Sequence, residues 1–394
     1  QRSFTGPLIV FTTEARKVIG GNSGAVQFVD QASATSATFI NQGGIVSGAT
    51  GGETDFFNTC TADLANITNE AGVTNGALGG TTYFTSVSTA ASCVITAGGA
   101  MANGAGGGLT IFENSSKAAE ATLIASGGLN GGGGGIIQLI DKSDGGRSRV
   151  MIYGNGSLDV SGHSSVLVTI GSIEGDGQVI LGTRKLSVGS NNLSATFSGV
   201  IQDAGSLTKI GSGTLTLSGT NLYTGGTTIS AGALVVSNKS GSGTGTGAIS
   251  VNAGTLGGSG IISGAVTVSA NGVLAPAHGT TTQATLTIQS SLTFSASSTY
   301  TYTFNAKGKK AKTDKVIANG VTIASGASFN LSGTTKGTLT RGLTLTVISN
   351  TSASPISGTF SNLADGAIVT VNGNNLQASY EGGDGNDLTL TVVP

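Results

Sequence analysis

The sequence predicts an all-β protein, a right-handed parallel β-helix (β-solenoid) that continues as a single rod. Three observations predict this fold. The 394 residues include 67 glycines and 4 prolines but no tryptophan, and only 9% are charged. Short strands with apolar residues two positions apart recur along the chain, bounded by glycine, serine, threonine and asparagine. One phenylalanine position returns at equal intervals, at Phe28, Phe56, Phe84 and Phe112, which indicates equal stacked coils.

Composition also excludes several classes of protein. With 38% apolar residues and little charge, the chain is too apolar for a disordered protein, and its glycines lack the period of collagen. The formal net charge of −1 offers no general attraction to nucleic acid. No segment approaches the roughly 20 consecutive apolar residues that a transmembrane helix needs. We therefore expect no nucleic-acid partner, no membrane span and no cofactor.

The chain divides into three predicted segments. Residues 1–25 are predicted to be an N-terminal strand or cap, and residues 26–155 form a solenoid of 28-residue repeats. Each repeat carries one apolar anchor and a second apolar position eleven residues later, and both are predicted to stack from coil to coil. The anchors are Phe28, Phe56, Phe84, Phe112 and Leu139, and the second positions are Phe39, Ile67, Ile95, Leu123 and Val150.

Residues 156–394 form the third segment, in which the strands come closer together. Strands arrive every eight to twelve residues after residue 156, which predicts coils of about three strands followed by a C-terminal strand region. Within residues 213–217 and 232–236, a glycine precedes a short strand whose apolar side chains lie two positions apart. This period of two places one face of each strand in the core.

The sequence of residues 205–236 resembles a known repeat. Its segments at 207–217, 221–229 and 232–236 are similar to the passenger-associated β-strand repeat of bacterial autotransporter-like surface proteins. The resemblance extends over roughly residues 150–394 and implies a secreted parallel β-helix on a bacterial cell surface. It does not imply an enzyme. No stretch resembles the membrane-inserted barrel of autotransporters, so the chain is expected to be either a detached passenger or a free-standing secreted repeat protein, and we favour the second.

Cys60 and Cys93 are the two cysteines of the chain. No Cys-x-x-Cys motif is present and there are only two histidines, so a metal or redox site is disfavoured. Cys60 follows its anchor by four residues and Cys93 follows the next anchor by nine, so the two flank the same corner on neighbouring coils. We predict a disulfide between them in an oxidising compartment, with two buried thiols as the alternative.

Candidates for catalysis are few. His163 and His278 both lie in turn sequences, and the densest mixed-charge corner, residues 141–149, resembles paired surface charges. Glycan-cleaving sites on β-helices need grouped carboxylates or basic residues on one face. We therefore predict no catalytic residue, no cofactor-binding residue and no metal ligand.

One loop concentrates positive charge. Five of the 18 basic residues fall within nine positions, enough to contact an anionic polysaccharide or a lipid headgroup. Because no aromatic residues are interleaved, a solvated loop is the favoured interpretation, and contact with an anionic ligand is the alternative. The candidate anionic-ligand residues are Lys307, Lys309, Lys310, Lys312 and Lys315.

Both ends of the chain are apolar and strand-like, which favours head-to-tail assembly of copies into a fibre. The predicted subunit interface consists of Leu8, Ile9, Val10, Phe11, Leu388, Leu390, Val392 and Val393. The first hypothesis is thus an extracellular, non-enzymatic subunit of a bacterial surface or matrix filament. The alternative is a monomeric adhesin or passenger that binds a glycan or host surface. A polysaccharide lyase or hydrolase comes third.

Overall fold

A computed structural model describes residues 9–17, 23–278, 282–335 and 337–394. In this part of the chain every regular element is a β-strand, and no helix is long and apolar enough to cross a membrane. The chain forms two compact units, Gln1–Gly205 and Ser206–Pro394. The segment boundaries predicted near residues 25 and 155 stay predictions.

The first unit contains strands β1 to β18. Their bounds are β1 Val10–Thr13, β2 Ala25–Phe28, β3 Thr38–Asn41, β4 Glu53–Phe56, β5 Asn66–Asn69, β6 Thr81–Phe84, β7 Val94–Ala97, β8 Leu109–Phe112, β9 Thr122–Ala125, β10 Ile136–Leu139, β11 Arg149–Ile152, β12 Ser157–Asp159, β13 Leu167–Ile170, β14 Ser172–Gly175, β15 Gln178–Ile180, β16 Lys185–Val188, β17 Ala195–Phe197 and β18 Val200–Gln202. One sheet follows the order β1-β3-β5-β7-β9-β11-β14-β17, and the facing sheet follows β2-β4-β6-β8-β10-β12-β15-β18. All of these pairings are parallel, as a β-helix requires.

The predicted anchor column is confirmed. Phe28 pairs in register with Phe56, and the column continues through Phe84 and Phe112 to Leu139. The four rings stack with neighbouring centroids 4.6 to 4.7 Å apart. Phe56, Phe84 and Phe112 are fully buried. This spacing is that of neighbouring strands, so each ring sits directly over the next.

The second column is confirmed in the facing strands and is longer than predicted. Phe39 pairs in register with Ile67, and the column continues through Ile95 and Leu123 to Val150. Phe11 precedes Phe39 in the same column, with ring centroids 5.1 Å apart. The strand at residues 10–13 is therefore a rung of the 28-residue repeat.

Polar residues inside the first unit form their own ladder. The Asn41 side chain donates to the side-chain oxygen of Asn69 at 2.7 Å and accepts from the hydroxyl of Thr54 at 2.7 Å. Asn69 in turn accepts from Thr82 and donates to Thr110. Buried amides and hydroxyls cost free energy unless they are hydrogen-bonded, and here each rung satisfies the next.

Each coil contains fewer residues where the predicted strands lie closer together in the sequence. Thr81 of β6 pairs with Leu109 of β8 across one full repeat, whereas Ile136 of β10 pairs with Ser157 of β12 across a shorter stretch of chain. A third parallel sheet begins at β13, which pairs with β16. The predicted change to coils of three strands is confirmed in this unit.

The second unit contains strands β19 to β38. Their bounds are β19 Ser206–Lys209, β20 Thr214–Leu217, β21 Thr227–Ile229, β22 Ala233–Val236, β23 Ile249–Val251, β24 Gly254–Gly258, β25 Ile261–Ile262, β26 Val266–Val268, β27 Gly272–Leu274, β28 Thr285–Ile288, β29 Leu292–Phe294, β30 Thr299–Lys307, β31 Lys310–Thr313, β32 Lys315–Ala318, β33 Val321–Ile323, β34 Ser328–Thr335, β35 Thr344–Asn350, β36 Ile368–Val371, β37 Asn374–Gly382 and β38 Asp387–Val393. Three stacks of parallel strands follow β20-β22-β24-β27-β30, β19-β21-β23-β26-β29-β33 and β25-β28-β32-β35.

The C-terminal strand does not continue the parallel stacking of the coils. β38 lies between β35 and β37 and pairs antiparallel with both, and β36 closes the sheet against β37. Alternating apolar residues such as Leu388 and Leu390 fix which face of a strand is buried, but they do not fix the direction of its neighbours. Both edges of β38 are consequently occupied.

The predicted disulfide is wrong, since Cys60 and Cys93 are both free and buried. Thr61 pairs with Thr89, which places Cys60 beside Ser88, whereas Cys93 lies beside Ala65 because Val94 pairs with Asn66. The thiols therefore belong to two different columns, and a disulfide needs its Cα atoms within about 7 Å and suitably aimed. Burial raises the pKa of Cys93 to about 12, so this thiol is chemically inert.

Candidate anionic-ligand site

The basic loop folds into a β-hairpin of β30 and β31. Only the first two residues of β30 pair with β27, so the rest of this nine-residue strand extends past its neighbour. Its extension pairs antiparallel with β31 and parallel with β34. Gly308 has a φ of +60° in the two-residue turn, a conformation that glycine adopts without strain.

Three lysines share one face of this hairpin. Lys307 lies directly opposite Lys310, and Asn305 lies opposite Lys312. Because residues two apart on a strand point to the same side, all four side chains project together, and all four are exposed. We call Lys307, Lys310 and Lys312 the basic face. Lys309 is exposed in the turn at its tip.

The opposite face of the hairpin is packed along β30. Phe304 and Ala306 are each 1% exposed, and the Phe304 ring lies 6.4 Å from that of Tyr302. Gly333 of β34 pairs with Phe304, and a side chain at position 333 would collide with the phenylalanine ring. The glycine thus lets the ring cover the sheet, which fixes the lysines on the side away from the core.

Asp314 fixes the base of the hairpin. Its carboxylate is fully buried, accepting from the backbone N–H of Ala284 at 2.9 Å and from the N–H and hydroxyl of Thr303 at 2.9 and 2.8 Å. The Asp314 N–H also donates to the Thr303 carbonyl at 2.8 Å. Hydrogen bonds to an ionised acceptor are about twice as strong as neutral ones, so these contacts position the hairpin.

Positive charge on the basic face is not balanced by an ion pair. The salt bridges among the described residues join Lys17 with Glu14, Arg147 with Glu120, and Arg149 with Glu174. Like charges directly opposite one another in a sheet are destabilising, so the Lys307–Lys310 pair reduces the stability of the hairpin unless an anion lies between them.

Lys315 lies apart from the basic face. It starts β32, is half-buried, and pairs in register with Thr285 of β28. Burial raises the pKa of Asp387 above its usual value, and the nearby Lys315 ammonium offsets only part of this rise. The structure therefore brings together three of the five predicted lysines, with Lys309 beside them and Lys315 separate.

The residues of the predicted subunit interface differ in exposure between the two ends of the chain. Ile9, Val10 and Phe11 are exposed, whereas Leu8 lies outside the described residues. At the other end Leu388, Leu390 and Val392 are buried and Val393 is half-buried. Since β38 is paired on both edges, this end lacks the open strand edge that the prediction required at these four residues.

The two histidines occupy structural positions. His163 is buried, with Nε2 at 2.7 Å from the Ser143 carbonyl oxygen, while its Nδ1 accepts from the Ser165 N–H at 3.1 Å. His278 is exposed in a turn. Within residues 9–17, 23–278, 282–335 and 337–394, no three His, Cys, Asp or Glu side chains form a group that could hold a metal ion.

The roles of three residues of the site were not predicted from the sequence. Asn305 lies on the basic face, Asp314 anchors the hairpin and Gly333 admits the Phe304 ring. Asp314 had a recognisable signal, because it is the one acid within the lysine-rich segment 307–315. Gly333 had none, since its partner Phe304 belongs to a strand of the preceding coil.

Comparison with known proteins identifies the repeat that the sequence resembles. The family model of the passenger-associated-transport-repeat matches residues 207–236. The chain is 39% identical over 107 residues to the adhesin BmaC autotransporter of Brucella suis biovar 1 (strain 1330). That alignment covers 25% of this chain and 3% of the much longer relative.

Proposed function

Since this chain carries an autotransporter passenger repeat on a parallel β-helix, we propose that it is a non-enzymatic, surface-exposed adhesive module that binds an acidic polysaccharide. The relative over a quarter of the chain is named as an adhesin, which supports attachment as the role. The β-helix serves as a rigid scaffold, and the basic face of the β30–β31 hairpin serves as the contact.

The unpaired charge of the basic face is the observation that carries the proposal. Lys307, Lys310 and Lys312 are exposed together on a strand pair anchored by a buried carboxylate. Asn305 adds an amide that donates to and accepts from hydroxyl groups. Cations with neighbouring hydrogen-bonding groups suit a polymer that alternates carboxylate or sulfate with hydroxyls.

Binding to immobilised polysaccharides tests this proposal. The protein should bind a carboxylated or sulfated polysaccharide and not dextran, and binding should weaken as salt is raised because exposed charges are screened. The variant Lys307→Ser, Lys310→Ser, Lys312→Ser should lose at least tenfold in affinity.

A second variant controls for net charge. Lys117→Ser, Lys142→Ser, Lys239→Ser removes three exposed lysines outside the hairpin and should bind as the unaltered protein does. Equal losses in the two variants would indicate non-specific attraction, and retention of binding by the hairpin variant would exclude the basic face as the contact.

Filament assembly is the second candidate, favoured by the exposed first coil. The ring of Phe11 stacks on the buried Phe39 yet is 40% exposed, and Ile9 and Val10 beside it are exposed as well. A strand from a second copy would cover these side chains. Negative-stain images should then contain unbranched fibres that disappear in Val10→Ser, Phe11→Ser, whereas single particles at all concentrations would exclude assembly.

A further inference from the structure

A second surface, on the opposite side of the coil from its charged corner, is not used by the proposed function. Four large apolar side chains stand at the same position of successive 28-residue coils and are between 47% and 66% exposed. We call this column the apolar ridge. It consists of Ile45, Val73, Met101 and Leu129.

The apolar ridge is fixed in place by the backbone. The Val73 N–H donates to the Gly44 carbonyl at 2.8 Å, and the Leu129 N–H donates to the Ala100 carbonyl at 2.8 Å. At the apex of the same turns, Gly48 donates to Gly76 at 2.9 Å, and the glycine ladder continues from coil to coil. The four side chains therefore stand on a hydrogen-bonded ladder with a rung spacing of about 4.8 Å.

Charge is almost absent around the apolar ridge. Glu70 is the single charged residue in the turns at 42–51, 70–79, 98–107 and 126–134. The corner on the other side of the coil is different, because exposed charged side chains of both signs line it. They include Asp30, Lys117, Glu120, Lys142 and Arg147.

This absence of charge selects among possible occupants. An acidic polysaccharide or an anionic lipid surface is attracted by lysine and arginine, and none lies in these turns. A second copy of the apolar ridge is equally free of lysine and arginine, and its side chains have the same coil-to-coil spacing. Two copies related by a two-fold axis place Ile45 opposite Leu129 and Val73 opposite Met101, so each rung meets an apolar partner.

We propose that the apolar ridge is a self-association surface through which two copies of this chain pack side by side. Four half-exposed side chains bury much less than the roughly 800 Å² per partner of a stable interface, so the contact is weak in solution. It gains strength where many copies are held close together, because each further contact forms at high local concentration. This pairing is lateral and does not involve the first coil.

Sedimentation velocity over a concentration series tests the pairing. The unaltered chain should show a weight-average sedimentation coefficient that rises between low and several hundred micromolar protein. The variant Ile45→Ser, Val73→Ser, Met101→Ser, Leu129→Ser should stay monomeric throughout. The control Val29→Ser, Leu64→Ser, Val87→Ser removes exposed apolar residues that do not form a column and should associate like the unaltered chain.

Cross-linking gives an independent measurement if the ridge variant is unstable. In a Cys60→Ser, Cys93→Ala background, chains with Val73→Cys mixed with chains with Met101→Cys should form an oxidised dimer, while chains with Val87→Cys should not. Equal cross-linking at Val87, a monomeric unaltered chain at every concentration, or binding of the ridge to phosphatidylcholine vesicles without self-association would each overturn the proposal.

Discussion

At the scale of single residues, the columns of the first unit follow from a simple rule. A residue that returns after one full repeat lies over its predecessor, as Phe56 does over Phe28 and Phe84 over Phe56. The same rule accounts for the failed disulfide. The separation of Cys60 and Cys93 is longer than one repeat, so they cannot share a column, and the sequence contained the information needed to separate them.

The free thiols lead to a prediction about redox conditions. The double variant Cys60→Ser, Cys93→Ala gives each position the residue type of its neighbour on the adjoining coil. Ser88 lies beside position 60, and Ala65 lies beside position 93. We expect a loss of no more than about 1 kcal/mol in the free energy of unfolding, against about 2–5 kcal/mol when a native disulfide is removed. Urea unfolding with and without reductant measures this, and a midpoint that falls on adding reductant to the unaltered chain would contradict the free thiols.

Lys209 leads to a prediction about pH. It is 1% exposed, and its ammonium donates to the carbonyls of Ile210 and Gly211 at 2.5 and 3.0 Å with no carboxylate beside it. Burial lowers its pKa to about 8, below the value near 10.4 of an unfolded lysine. Between these two values the unfolded chain holds a proton that the folded chain has released, so this residue makes stability rise with pH.

The variant Lys209→Met isolates that effect. The difference between the urea midpoints of the unaltered chain and the variant should move in favour of the unaltered chain when the pH is raised from below 8 to about 10. Other groups, including Cys93, titrate equally in both proteins and cancel in the comparison. A difference that does not change with pH would show that Lys209 has an ordinary pKa.

At the scale of elements, strand positions were predictable and strand partners only in part. Period-two alternation located the strands around Leu215 and Leu234, and their parallel pairing in register agrees with a solenoid. The antiparallel pairing of β38 with β35 and β37 was not predictable, because alternation is the same in both directions. The hairpin could be located from its lysines, but not the side on which they project, since this depends on the packing of Phe304.

Asp314 provides a prediction about the hairpin as an element. Asp314→Asn replaces one acceptor oxygen with an N–H₂ group, which cannot accept from the N–H of Ala284 or of Thr303. Leaving a buried donor unpaired costs about 1–3 kcal/mol, so the hairpin should become locally mobile. Hydrogen exchange should accelerate in β30 and β31 while β20 and β22 keep their protection, and affinity for an acidic polysaccharide should fall several-fold. Unchanged exchange in β31 would mean that Asp314 is not its anchor.

At the scale of the whole molecule, the residues that form the scaffold differ from those that form the candidate contacts. Coil-to-coil columns of apolar side chains and a buried asparagine ladder stabilise the described coils. Candidate contacts lie where the repeat is interrupted, at the basic hairpin, or where a repeat position faces solvent, at the apolar ridge. Residues 207–236, which match the passenger repeat, contain strands with buried side chains joined by turns, so they belong to the scaffold and not to the candidate contacts.

Attachment of protein-coated beads to cell monolayers tests the adhesive role most directly. Beads carrying the unaltered chain should attach to cells that display acidic surface polysaccharides and detach as salt is raised. Attachment should fall several-fold on cells stripped of those polysaccharides and on beads carrying Lys307→Ser, Lys310→Ser, Lys312→Ser. Attachment that is equal on stripped and intact cells, or equal for both proteins, would exclude the basic hairpin as the adhesive contact of this β-helix.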